Sequence, residues 1–228
     1  MVRIPALAVA LTLVVGVCGQ RPAGQYRLVD LSSPRSHVAV IGDSYTSGTD
    51  EGGRGPSAWT ARVWPALARQ GIDVIPEVAS EGGSGYGVRG DRGSRFEDLA
   101  ARAVRPDDAL VVLFGSRNDQ GVDPLQLSEL IRTTLDVPRF VAPAAGLLVI
   151  GPPWPTADPP KAVLEVRDVL RDRAREAGAT FVDPIAEQWF SGHPDLIGSD
   201  GVHPNDAGHA YMADQIAPLI RAQLPWPT

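Results

Sequence analysis

Cysteine is almost missing from this 228-residue chain: Cys18 stands alone. No intramolecular disulfide can form, so the fold must be held by its core rather than by covalent staples. Lysine is equally scarce, with Lys161 the only one, and asparagine occurs only at Asn118 and Asn205. An excess of positive charge is also lacking. The net charge of −6 argues against a nucleic-acid partner. Long apolar runs are absent too. The best one, Ile4–Val17, has 14 residues, whereas a membrane-spanning helix needs about 20.

That run follows Arg3 and leads into small and polar residues, so residues 1–19 are expected to be a secretory signal peptide. A retained membrane anchor is the alternative. Cys18 at its end invites a lipidation reading, against which Val17 stands where a small residue is wanted. Residues 20–36, with Pro22 and Pro34, read as a linker, and residues 37–228 as one domain. Its expected location is secreted or attached to the cell envelope. With 43% hydrophobic residues the chain is not a disordered one.

What is present is a set of short apolar runs alternating with helical patterns. Val38–Ile41, Ile72–Val78, Ala109–Phe114, Gly146–Ile150 and Ala179–Val182 read as strands. Helices are expected over 58–69 capped by Ser57, after a Ser94–Glu97 capping box, and from Asp123-Pro124 to a stop before Pro138. Two more are expected over 160–177 and after Asn205, the last kinked or split at Pro218. Alternating strands and helices predict an α/β fold, a three-layer α/β/α sandwich with a five-stranded parallel sheet.

The chemistry begins at Gly42-Asp43-Ser44-Tyr45, just past the first strand, where open α/β sheets bind ligands. A serine there is a nucleophile only if a base takes its proton. Asp200-Gly201-Val202-His203 supplies one: a histidine titrating near neutrality, with a carboxylate three residues earlier to orient it. Gly115-Ser116-Arg117-Asn118-Asp119 follows the central strand. The glycine-rich stretch 48–56 lacks the G-x-x-x-x-G-K-S/T phosphate loop, so no nucleotide is expected. His209, six residues after His203, raises a metal reading, but that spacing places the two on different helix faces. No metal and no cofactor are expected. His37 and His193 read as structural, and Arg89, Arg92 and Arg95 as solvated. Trp154, in a proline-rich loop, is either a wall of the substrate site or a packing aromatic.

Together these blocks resemble the SGNH hydrolases, or GDSL-type esterases, over residues 38 to about 220. Gly42-Asp43-Ser44-Tyr45 matches the first block, with Tyr where many members have Leu. The 115–119 and 200–204 stretches match the asparagine and histidine blocks. The glycine block lies within 79–93. Gly85 fits its usual S-G best, with Gly82 and Gly83 left open.

The resemblance implies the flavodoxin-like SGNH fold and a Ser44–His203–Asp200 triad. The oxyanion hole would use the Ser44 and Gly85 backbone N–H groups and the Asn118 amide. The implied activity is hydrolysis of O-acyl esters, expected to be acetyl or short-chain groups on a small molecule or a glycan, by a monomer. An acyltransferase, a lipase or lysophospholipase, and a non-catalytic binding module remain the alternatives.

Overall fold

Successive strand residues point to opposite faces of a sheet. Val38, Val40, Leu110, Val112, Phe114, Leu148 and Ile150 are buried on one face. Ala39, Ile41, Val111, Leu113, Leu147 and Val149 are buried on the other. Such unbroken apolar runs suit only a sheet covered on both sides. The computed structural model describes residues 35–224. The expected signal segment, Cys18 and nearly all of the expected linker lie outside the described residues.

The strands are β1 (Ser36–Gly42), β2 (Val74–Ser80), β3 (Asp108–Phe114), β4 (Gly146–Ile150) and β5 (Thr180–Val182). All pair in parallel, in the order β2-β1-β3-β4-β5. The helices are α1 (Ser44–Ser47), α2 (Trp59–Ala68), α3 (Phe96–Ala103), α4 (Pro124–Val141), α5 (Lys161–Glu176) and α6 (Asp206–Gln223). Trp59, Val63 and Leu67 of α2 and Met212, Ile216 and Ile220 of α6 cover one face. Phe96 and Leu99 of α3, Leu127, Ile131 and Leu135 of α4, and Val166 and Leu170 of α5 cover the other. Each of these large side chains contributes about 1.5–3 kcal/mol by leaving water. The expected three-layer α/β/α fold with a five-stranded parallel sheet is the observed one.

Several local expectations need correction. α4 does not stop before Pro138 but runs through it to Val141. The lost amide donor is outweighed by the buried face Leu127, Ile131, Leu135 and Pro138. α6 likewise continues past Pro218 as one segment, with Ala217 and Ile220 buried. α3 starts one residue later than the expected capping box: Asp98, not Glu97, reaches back to accept the Arg95 N–H at 2.9 Å. Ser94 instead gives its N–H to Glu81 Oε1. Ser57 does not cap α2, whose N-cap is Ala58. The caps at Asp123 and Asn205 are as expected, each side chain accepting two backbone N–H groups of its own helix.

The order places β2 and β3 on opposite sides of β1. The chain leaving β1 and the chain leaving β3 therefore flank a topological switch point. Gly42 and Phe114, the last residues of the two strands, are register partners. Whatever follows each of them is brought to one place at the sheet's carboxyl edge.

Candidate active site

The turn out of β1 has little room. A Cβ on Gly42 would collide with Thr46 Oγ1, so only glycine lets α1 fold back this tightly. Asp43 caps α1, its Oδ1 accepting the Tyr45 N–H at 2.9 Å. Ser44 is thus the first helical residue, with 7% of its surface exposed. Its N–H is one of the donors that a helix start leaves without an intrahelical acceptor.

The Asp200–His203 turn is built around one carboxylate. Asp200 Oδ1 accepts the backbone N–H groups of Val202 (2.8 Å) and His203 (2.9 Å). Its Oδ2 lies 2.6 Å from His203 Nδ1. Partial burial opposes ionisation of Asp200, but these bonds outweigh it and lower its pKa to about 2. The carboxylate is therefore charged across the neutral range and holds the proton of His203 on Nδ1. The other ring nitrogen, Nε2, lies 3.0 Å from Ser44 Oγ. Residues 159 positions apart are joined as a serine, an imidazole and a carboxylate in line.

Asn118 follows β3 in a short 3-10 turn. Its Nδ2 donates to the Ser84 carbonyl at 2.8 Å and approaches Asp43 Oδ2 at 3.4 Å. One amide hydrogen is spent on the glycine loop, and the other has only a long contact. Burial of Asp43, partly offset by the Tyr45 N–H and by Arg117, raises its pKa to about 7. Arg117 stacks on Trp154, with 4.2 Å from guanidinium carbon to ring centroid. That places Trp154 beside the Asn118 turn.

The glycine loop departs from expectation. Gly85 N–H donates to the Val88 carbonyl at 3.0 Å, and Gly85 carbonyl accepts from Phe96. A Cβ on Gly85 would lie 2.5 Å from Asp119 Oδ1 and from Ser116 Oγ. Both its N–H and its carbonyl are therefore engaged within the loop. The turn before it is pinned by Glu81 N–H to the Gly42 carbonyl (3.1 Å) and by Ser84 N–H to the Glu81 carbonyl (3.2 Å). Gly83, at φ +72°, sits inside that turn. Among the described residues neither its N–H nor that of Gly82 has an acceptor.

Sequence reasoning missed Asp119. Its Oδ2 accepts the Tyr86 N–H (2.9 Å) and the Ser116 hydroxyl (2.8 Å). Its Oδ1 accepts the N–H groups of Gly87 (2.8 Å) and Val88 (3.0 Å). This buried carboxylate clamps the glycine loop onto the asparagine turn. Burial raises its pKa, with the four donors opposing. The only signal in the chain was its place beside Asn118.

The remaining candidates lie elsewhere. His209 is 1% exposed and accepts the Trp59 N–H on Nδ1 at 3.4 Å. Burial lowers its pKa to about 4. His37 faces Asp107 at 3.6 Å, and His193 lies against the Tyr211 ring. Arg89 and Arg92, expected to be solvated, are exposed but also donate to the carbonyls of Gly93 and Ser80.

The chain matches the family of GDSL-like lipases and acylhydrolases over residues 40–211. It is 58% identical to the GDSL lipase Rv0518 of Mycobacterium tuberculosis, over 98% of this chain and 99% of that protein. Among solved structures, TesA superposes with a TM-score of 0.66 at 24% identity, covering 83% of this chain and 100% of TesA. The lipase/acylhydrolase of Enterococcus faecalis gives 0.64 at 19% identity, covering 85% of this chain and 98% of that one. A family two carbohydrate esterase of Clostridium thermocellum, solved with cellohexaose, gives 0.64 at 15% identity, covering 85% and 66%. These three likenesses concern the fold. The matched span runs from β1 into α6 and takes in all three motif blocks, so the chain belongs to the GDSL-like lipase/acylhydrolase family and is an ester hydrolase.

Proposed function

We propose that this protein cleaves O-acyl esters with Ser44 as nucleophile, His203 as general base and acid, and Asp200 as the group that orients His203. The observation carrying this reading is the relay of 2.6 Å from Asp200 Oδ2 to His203 Nδ1 and 3.0 Å from His203 Nε2 to Ser44 Oγ. Ser44 Oγ attacks the ester carbonyl carbon while Nε2 takes its proton. The imidazolium then protonates the departing alcohol, leaving an acyl-serine. Water, deprotonated by His203, attacks that ester and releases the acid and free Ser44.

The oxyanion hole of this proposal differs from the one expected. Its donors are the Ser44 N–H, the Asn118 amide hydrogen that makes only the long 3.4 Å contact with Asp43 Oδ2, and the N–H of Gly83 in place of Gly85. The occupied Gly85 N–H and the acceptor-free N–H groups of Gly82 and Gly83 support moving this donor into the 82–83 turn, where we take Gly83. One such donor is worth about 2.7–4 kcal/mol in the transition state.

The proposed substrates are acetyl or other short-chain esters, on small molecules or glycans, met outside the cytoplasm. The pattern of residues 1–19 supports the location. Carbohydrate esterases among the structural neighbours, one solved with cellohexaose, support glycans. The test is a p-nitrophenyl ester series from acetyl to dodecanoyl, then acetylated xylan, with Ser44→Ala as the blank. Highest kcat/KM at the short end supports the reading. A maximum at long chains makes the protein a lipase, in line with the name of its Mycobacterium tuberculosis relative.

A further inference from the structure

Tyr45 follows Ser44 in α1, and its side chain is completely buried. A leucine would fill the same core. The tyrosine adds a hydroxyl, and that hydroxyl donates to the Val202 carbonyl at 2.5 Å. Val202 is the residue between the Asp200-Gly201 pair and His203, and its carbonyl carbon is bonded to the His203 nitrogen. The bond therefore ties the helix that carries Ser44 to the peptide that carries His203, across 157 positions of chain.

The ring cannot swing away. It meets Phe114 and Phe190 edge-on at 6.4 and 6.2 Å and lies 5.9 Å from the His203 ring. Arg117 sits beside the hydroxyl, and burial, offset in part by that cation, raises the Tyr45 pKa to about 12. The hydroxyl thus stays protonated, and a donor, at every pH where a serine esterase works.

We infer that Tyr45 is a positioning residue: its hydroxyl, through the Val202 carbonyl, sets the distance between His203 Nε2 and Ser44 Oγ. This inference rests on the proposed Ser44–His203 chemistry. Proton transfer is steep in distance, and an error of about 1 Å costs up to about a hundredfold in rate. Tyr45→Phe keeps the ring and its packing and removes only the tether. Substrate contacts are untouched, so the loss falls on kcat and not on KM.

The experiment compares wild type, Tyr45→Phe and Leu67→Ala, a core variant on α2 that lowers stability without touching the tether. Each is assayed with p-nitrophenyl acetate per active site titrated by a fluorophosphonate, well below its melting temperature. The expected result is a roughly tenfold fall in kcat for Tyr45→Phe, KM within twofold, and an equal fall in the rate of fluorophosphonate labelling. Leu67→Ala should keep its kcat per site despite a lower Tm. Wild-type kcat in Tyr45→Phe, or the same loss in Leu67→Ala, overturns the inference alone. A wild-type protein that neither turns over ester nor takes up the fluorophosphonate overturns the esterase reading and this inference with it.

Discussion

Glu51 holds Ser199 from 148 positions away: its Oε2 accepts the Ser199 N–H at 2.6 Å, and both carboxylate oxygens lie 3.0 Å from the Ser199 hydroxyl. Ser199 immediately precedes Asp200. Two residues after Glu51, Gly53 N–H donates to Asp206 Oδ1 at 2.9 Å, just beyond the His203 turn. The glycine-rich stretch 48–56 therefore grips the segment bearing Asp200 and His203 on both sides.

Glu51→Ala should loosen that grip. The Ser199 bonds are partly solvated, so water replaces them and the fold survives. We expect a several-fold loss of kcat with a Tm change of a few degrees at most, read by ester turnover and calorimetry. Glu51→Gln keeps one acceptor oxygen and should retain most of the activity.

Asp119→Ala should be far more damaging to stability. It leaves the buried Tyr86 N–H and Ser116 hydroxyl, and the part-buried N–H groups of Gly87 and Val88, without an acceptor. At about 1–3 kcal/mol for each stranded group, the expected loss exceeds about 3 kcal/mol in urea unfolding. An unchanged midpoint would show that the glycine loop does not depend on this carboxylate.

The proposed oxyanion donors should separate from the loop-builders by their kinetic signature. Asn118→Ala should lower kcat by about 10²–10³-fold with KM little changed. Gly85→Ala forces a methyl group to within 2.5 Å of Asp119 and Ser116, so it should lower Tm first. Gly83 has room for an added methyl, the nearest atom being Asp91 Oδ1 at 3.5 Å, but its φ of +72° strains any side chain. Gly83→Ala should therefore twist the peptide that carries its N–H and reduce kcat more than Tm.

His209 makes stability depend on pH. Its folded pKa of about 4 lies below the unfolded value of 6.5, so the unfolded chain binds more protons between them. Stability from this group is complete above pH 6.5 and is lost as pH falls towards 4. The full loss is on the order of 3 kcal/mol. Asp43, raised to about 7, works in the opposite direction between its unfolded value of 3.8 and 7. The difference between wild type and His209→Asn isolates the histidine: the advantage of wild type should shrink as pH falls from 7 to 4.

Local pattern carried much of this into the sequence. The apolar runs marked all five strands, and three short motifs marked Ser44, Asn118 and His203, the first two just past the ends of β1 and β3 and the third in the turn before α6. What stayed hidden depends on contacts between distant segments. Gly85 matched a local S-G pattern, yet its N–H is claimed by Val88 and its α-carbon by Asp119. Nothing near Glu51 names Ser199, and nothing near Tyr45 names Val202. Pro138 reads as a stop, but burial of the residues around it carries α4 three residues further.

The central claim is that Ser44 is a nucleophile made reactive by His203 and Asp200. Its most direct measurement is the intact mass of wild type, Ser44→Ala and His203→Ala after treatment with a fluorophosphonate ester, with peptide mapping of the adduct. The expected result is one phosphonyl adduct per wild-type chain, located on Ser44, none on Ser44→Ala, and labelling of His203→Ala slowed by at least about 10³-fold. An adduct at another residue, or equal labelling of wild type and His203→Ala, would contradict it.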